Sequence, residues 1–179
     1  MNKPLIILDR DGVINHDSDD YIKSPAEWLV IESSLDAIKQ LTDAGYDIAI
    51  ATNQSALSRE FITLEILDNI HKKMLGLIAD KGGKIAAIEF CPDHPDNPGP
   101  NRKPAPGMLL KLFKQFNAVA EDTWFVGDTN SDINCAINAK CKPALVLTGK
   151  GTRTLSSTSF DNKVPVFKDL LDFTKFLLG

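Results

Sequence analysis

Short apolar runs alternate with longer amphipathic stretches along the whole chain. Leu5-Ile6-Ile7-Leu8 is continuously apolar and stops at charge, the pattern of a strand buried on both faces. From Ser34 to Ala44, Leu35, Ile38 and Leu41 share one helical face, and Gly45 stands where a helix C-terminus favours glycine. Ile48 to Ala51 is the next apolar run, ending at Thr52-Asn53-Gln54-Ser55. Thr63 is positioned to cap a helix reaching about Lys81, with Leu67, Ile70, Met74, Leu77 and Ile78 as its apolar stripe and Gly82-Gly83 as its stop. A strand over Ile85–Cys91, a proline-rich loop from Pro92 to Pro106 and a helix from Pro106 to Phe116 come next. The pattern then gives a strand at Trp124–Val126, a helix near Ser131–Ala139, a strand at Ala144–Leu147 and a last strand–helix pair over Val164–Leu178.

Strands and helices alternating at this spacing predict βαβ units, hence a mainly parallel sheet covered on both faces in a three-layer, Rossmann-like α/β fold. No repeat, low-complexity tract or break in composition divides the chain, so residues 1–179 are expected to form one domain. Ligands of such sheets bind beyond the carboxyl ends of the strands. The polar groups following successive apolar runs should therefore meet at one edge: Asp9-Arg10-Asp11-Gly12, Thr52-Asn53, Arg102-Lys103 and Gly127-Asp128.

Composition narrows the function. With 43% hydrophobic and 25% charged residues the chain reads as a soluble globular protein. Its net charge of -4, with no basic stripe, argues against a nucleic-acid partner. The apolar run in MNKPLIILDRDG is only about four residues, too short for a signal-peptide core or a membrane span. Three cysteines, Cys91, Cys135 and Cys141, suggest reduced thiols and a cytoplasmic setting.

Asp9 and Asp11 leave the first strand two residues apart, so both carboxylates can face the same way. Two anions so close repel unless a cation lies between them. Asp128 brings a third acid, and such an all-oxygen site suits Mg2+, which shares its coordination between carboxylates, waters and substrate phosphate. A polar turn is the simplest alternative for Asp9-Arg10-Asp11, but it leaves the three other strand-end clusters unexplained. The acidic run Asn15-His16-Asp17-Ser18-Asp19-Asp20 fails as a calcium loop, because the positions requiring glycine and an acid hold Asp20 and Ala26. It is expected either to border the site, with Asn15 and Asp17 as candidate substrate contacts, or to be a solvated loop. Asp132 is expected to open its helix or support the site from behind, and Cys135 and Cys141 to be core thiols.

Asp9-Arg10-Asp11-Gly12, Thr52-Asn53-Gln54-Ser55, Arg102-Lys103-Pro104 and Gly127-Asp128 resemble the four ordered motifs of the haloacid dehalogenase superfamily. The likeness covers nearly the whole chain. It is greatest to the branch containing heptose bisphosphate and histidinol-phosphate phosphatases, and Gly151-Thr152-Arg153 is similar to the heptose enzymes. The resemblance implies a magnesium-dependent phosphatase acting on a small sugar phosphate, with heptose 1,7-bisphosphate losing its 7-phosphate on the way to surface polysaccharide. In it Asp9 attacks phosphorus to give an aspartyl phosphate, and Asp11 serves as acid and then base. Thr52 and Lys103 stabilise phosphoryl oxygens. Asp9, Asp11 through its carbonyl, and Asp128 hold Mg2+, while Asn53, Arg59 and Arg102 contact substrate. With no long insert between motifs, no large cap domain is expected, and the protein is expected to be monomeric.

Histidinol-phosphate phosphatase is the alternative within this class. A DNA 3′-phosphatase would require a basic groove. A phospho-acceptor receiver module also presents strand-end aspartates, a threonine and a lysine, but lacks an acid two residues after the acceptor, so Asp11 argues for turnover. The relatives usually carry a zinc site before the Arg-Lys-Pro motif. Here Asp93, Gly99 and Asn101 occupy ligand positions, and Cys91 with a displaced His94 cannot supply the four ligands of a closed site. Structural zinc is therefore expected to be absent, with Pro92, Pro95, Pro98 and Pro100 stiffening the loop.

Overall fold

A computed structural model describes residues 4–179. Its elements run β1 (Leu5–Leu8), α1 (Glu32–Asp43), β2 (Asp47–Asn53), α2 (Leu64–Asp80), β3 (Ala87–Cys91), α3 (Gly107–Phe116), β4 (Trp124–Gly127), α4 (Asn130–Asn138), β5 (Lys142–Val146), α5 (Gly151–Leu155), β6 (Val166–Phe167) and α6 (Leu170–Leu178). All strand pairs are parallel, and the sheet order is β3-β2-β1-β4-β5-β6.

The alternation of side chains along the strands builds two cores. Ile6, Leu8, Ile48, Ile50 and Val126 face the layer formed by α1, α2 and α6, where Leu35, Ile38, Ile70, Met74 and Phe173 pack. Leu5, Ile7, Ala49, Ala51 and Phe125 face α3 and α4, meeting Met108, Leu109, Leu112 and Ala136. This explains the unbroken apolarity of β1: it is central, and both of its faces lie under helices. Burying each of its large side chains contributes roughly 1.5–3 kcal/mol.

The helices start and stop for local reasons. Thr63 caps α2 by accepting the Ile66 N–H. Thr129 and Asp132 form a reciprocal capping box at α4. Asn117 ends α3 in a left-handed conformation. Several boundaries shift by a few residues from the hydrophobic pattern, and one short helix is added to it. β5 starts at Lys142, because its backbone pairs with Trp124 of β4 whatever the polarity of its side chain. The five-residue helix α5 is too short to show periodicity.

The order of the strands fixes where chemistry can occur. Chain connections leave β1 toward β2 on one side, while β4 lies against its other side. The crevice beyond the carboxyl ends of β1 and β4 is therefore the switch point of the sheet. Asp9 follows β1 and Asp128 follows β4, so both acids lie at that crevice.

Candidate active site

A cleft of about 360 Å³ opens at this edge, and Asp9, Asp11, Thr52, Lys103 and Asp128 all line it. Asp17, Asn53 and Arg102 line it as well. The loop from Asp17 to Ile22 supplies one wall, and Pro95 with Arg102 supplies another.

Asp9 Oδ1 accepts the Arg10 backbone N–H at 2.8 Å and lies 2.9 Å from Lys103 Nζ. Lys103 is buried and also reaches Asp132 Oδ1 at 2.7 Å and the Ala51 carbonyl at 3.0 Å. The ammonium thus donates to one carbonyl and is ion-paired with two carboxylates. Asp132 in turn accepts the Asp128 and Thr129 amides and the Thr129 hydroxyl on Oδ2, at 3.2, 3.1 and 2.7 Å. Asp132 also lines the cleft; its Oδ2 is taken by these donors, while its Oδ1 has the Lys103 ion pair and no hydrogen bond.

Asp128 Oδ2 accepts the Lys150 amide at 2.7 Å, but its buried Oδ1 has no hydrogen-bond partner. Oxygens of Asp9, Asp128 and Asp132 lie within 4.8 Å of one another. Three carboxylates against one ammonium leave two negative charges uncompensated. Burial and the negative charge of Asp132 accordingly push the Asp9 and Asp128 carboxyls well above their usual range. A divalent cation matches that deficit, and the orphaned Asp128 Oδ1 gives it a ligand. Lys103 moves the other way: burial alone would lower it, but Asp132 and Asp9 outweigh burial and raise it, so it stays charged.

Two glycines make this packing possible. Gly12 has φ +85°, and a Cβ there would lie 2.1 Å from Asp128 Oδ2. Gly149 has φ +57°, and its Cβ would fall 2.3 Å from the same oxygen and 2.4 Å from Gly12 Cα. Only glycine satisfies both the backbone and the space.

Asp11 is held from four directions. Arg10 donates through Nε to Oδ1 and through Nη2 to Oδ2, each at 3.0 Å, while Asn15 Nδ2 and Gln54 Nε2 add bonds at 2.9 Å. Burial would raise its carboxyl, but the Arg10 guanidinium and these hydrogen bonds together hold it below the ordinary carboxylate value. Its side chain is turned to this network and is not one of the three clustered carboxylates. Thr52 Oγ1 accepts from Gln54 Nε2 at 2.9 Å.

Two expected substrate contacts lie elsewhere. Asn15 is fully buried beneath Asp11 and does not line the cleft. A side chain that must reach under a carboxylate to donate cannot also face solvent. Arg59 also lies outside the lining, its guanidinium 5.8 Å from the Tyr21 ring, which does line it. Asn53 holds the Arg102-Lys103 segment by accepting the Lys103 N–H and donating to its carbonyl, at 3.1 and 3.2 Å. In the proline-rich loop, Asp93 accepts the Gly99 N–H at 2.9 Å and its carbonyl receives Arg102 Nη1 at 2.9 Å.

Lys150, Gln54 and Tyr21 also line the cleft and were not singled out in the sequence. Lys150 lies 3.1 Å from Asp17 and 3.6 Å from Asp19, tying the acidic loop to the segment after β5. Gln54 belongs to the Thr52-Asn53-Gln54-Ser55 cluster, and its position after a strand is the available signal. Lys150 had no such signal beyond its nearness to Gly151-Thr152-Arg153.

Comparison with known proteins adds a second line of evidence. Residues 100–173 match the family model described as HAD-hydrolase-like. The chain is 48% identical over 177 residues to the D-glycero-beta-D-manno-heptose-1,7-bisphosphate 7-phosphatase of Neisseria meningitidis serogroup A, covering 97% of this chain and 94% of that protein. Its identity to the enzyme of the same name from Pseudomonas aeruginosa is 43%, with 99% of both chains covered. A crystal structure of D,D-heptose 1,7-bisphosphate phosphatase from B. bronchiseptica, complexed with magnesium and phosphate, superposes with a TM-score of 0.94. That protein is 41% identical, and 97% of each chain is covered.

Proposed function

Because the chain belongs to the haloacid dehalogenase-like family of heptose 1,7-bisphosphate 7-phosphatases, we propose that it removes the 7-phosphate of D-glycero-beta-D-manno-heptose 1,7-bisphosphate at Asp9. The observation that carries this reading is the convergence of Asp9, Asp11, Thr52, Lys103 and Asp128 on one open cleft at the switch point of the sheet.

Asp9 attacks phosphorus through its carboxylate, the P–O bond to the sugar breaks, and an aspartyl phosphate forms. Lys103 keeps Asp9 oriented, and its charge, with the Thr52 hydroxyl, faces the equatorial phosphoryl oxygens. Asp11 gives a proton to the departing alkoxide and then takes one from the water that hydrolyses the intermediate. At rest Arg10 favours the ionised form of Asp11, which is the form the second half needs. An arriving phosphate is a like charge that raises the Asp11 carboxyl, favouring the protonated form for the first half.

Asp9, Asp128 and the Asp11 carbonyl would hold Mg2+. When bound, it neutralises the phosphate so that an anionic carboxylate can approach. Asp17 and Arg102, which line the cleft, would read the sugar and its second phosphate. We also read the protein as a cytoplasmic monomer without a nucleic-acid partner, on its net charge of -4 and its free cysteines; among the described residues no helix is long and apolar enough to cross a membrane.

Phosphate release with Mg2+ tests the substrate, comparing both anomers of the heptose bisphosphate with histidinol phosphate and an aryl phosphate. The β anomer is expected to give the highest kcat/KM. A higher value for histidinol phosphate would overturn the assignment. Magnesium should also stabilise the fold, because it relieves two uncompensated buried charges. At a hundred times its Kd the gain is about 2.7 kcal/mol, or on the order of 5–10 °C in Tm for a domain of this size. Calorimetry with and without Mg2+ checks this, and an Asp128→Asn variant should lose most of the increment.

A further inference from the structure

The helix α2 contributes nothing to the cleft lining, yet it places one polar side chain against the chemistry. His71 is buried on its inner face, between the apolar positions Leu67 and Met74. Its Nε2 lies 3.2 Å from Nη1 of Arg10, a residue 61 positions earlier. A guanidinium has donors and no acceptor, so Nε2 must carry the lone pair and the ring proton must sit on Nδ1. Burial and the Arg10 charge lower the imidazole pKa to about 4, so the ring is neutral and able to accept.

Arg10 is itself completely buried, and each face of its fork is used. Nε and Nη2 grip the two oxygens of Asp11, Nη2 also meets Gln54 Oε1 at 3.1 Å, and Nη1 is left for His71. The bond at Nη1 restrains the free edge of a planar guanidinium whose other edge is held by Asp11 and Gln54. With Asn15 and Gln54, the guanidinium sets the orientation of the Asp11 carboxylate. Satisfying a core arginine needs only some acceptor. An acceptor on a separate helix, aligned so that the opposite edge of the fork meets Asp11 with two bonds, does more than that.

We propose that His71 is a positioning residue for the reaction: by accepting Arg10 Nη1 it locks the guanidinium, and through it the Asp11 carboxylate, in the orientation from which Asp11 exchanges protons. The inference rests on the reading of Asp11 as the acid and base. It makes α2 a support of the proton-transfer step and gives Arg10 a role separate from phosphate binding.

The test uses leaving groups. Release of a sugar alkoxide requires a proton, whereas release of nitrophenolate does not. Rapid-quench measurement of the phosphorylation half-reaction separates the two, with Mg2+ present throughout. For His71→Leu, phosphorylation by the heptose bisphosphate should slow at least tenfold, while the nitrophenyl phosphate burst stays within twofold of the parent. KM should be little changed, and His71→Gln, which retains an acceptor, should recover most of the rate. His71→Met, which fills the same space without a strong acceptor, repeats the test if the leucine variant is poorly folded. Equal slowing with both substrates, or no slowing with either, overturns the positioning role. Asp11→Asn run alongside separates the two levels: if it too fails to discriminate between leaving groups, the acid–base reading of Asp11 is what has failed.

Discussion

Asparagine in place of Asp9 is expected to lower kcat by about 10⁴-fold or more while leaving the protein folded and as stable as before. The carboxylate is the nucleophile, and a neutral amide cannot form the aspartyl phosphate. The fold should tolerate the change because Asp9 contributes unfavourable charge at rest. It is buried beside Asp132 and Asp128, and burial with the Asp132 charge raises its carboxyl to about 7. An amide oxygen can still accept the Arg10 N–H. Lys103 keeps Asp132 and the Ala51 carbonyl as partners. Without Mg2+ the variant should therefore melt at or above the temperature of the parent, since a catalytic arrangement is often bought with stability. Its magnesium increment should shrink, because one ligand carboxylate is gone. Phosphate-release assays and melting curves with and without Mg2+ check all three. Parent-like turnover would remove Asp9 from the chemistry. A large loss of stability would show that the three-carboxylate repulsion has been misjudged.

The same contrast between charge and packing explains what could be read in the sequence. Leu5–Leu8 and Ile48–Ala51 announced central strands, because a strand covered on both faces has no polar side to show. The polar residues after them could be assigned to one edge, since parallel strands all end there. Asp9, Asp11, Thr52, Lys103 and Asp128 were thus legible from position and residue type together. Asn15 was misjudged because its sequence neighbours are acidic and exposed, whereas its own side chain turns inward to Asp11. Lys150 pairs with Asp17 and Asp19, and Arg10, besides its neighbour Asp11, with Gln54 and His71; no local pattern encodes such distant pairs. His71 did leave a trace. Leu67, His71, Met74 and Ile78 follow helical spacing, so a polar residue stood on a buried stripe. Such a residue requires a partner, and the partner proves to be the arginine between the two acids of the first motif.

Methionine in place of Lys103 is expected to damage both stability and turnover, in contrast to the change at Asp9. The ammonium lies between Asp9 and Asp132, at 2.9 and 2.7 Å, and all three groups are buried. Removing one partner of a buried ionic cluster costs about 3–5 kcal/mol, because the remaining charges stay desolvated and unpaired. For a domain of this size that is on the order of 10 °C in Tm. Loss of the charge facing the phosphoryl oxygens should lower kcat by about 10²–10³-fold as well. The two effects can be separated. Adding Asp132→Asn to Lys103→Met removes one stranded carboxylate while keeping an oxygen able to accept the Thr129 and Asp128 amides. Much of the lost stability should return, whereas turnover should not, since no cation has been restored beneath the phosphate. Magnesium supplies charge of the same sign, so the Tm deficit of the single variant should be smaller in its presence. A single variant that melts like the parent would mean that the Lys103 cluster does not carry the stability assigned to it. Recovery of turnover in the double variant would mean that Lys103 acts only by balancing Asp132, with no part in phosphoryl transfer.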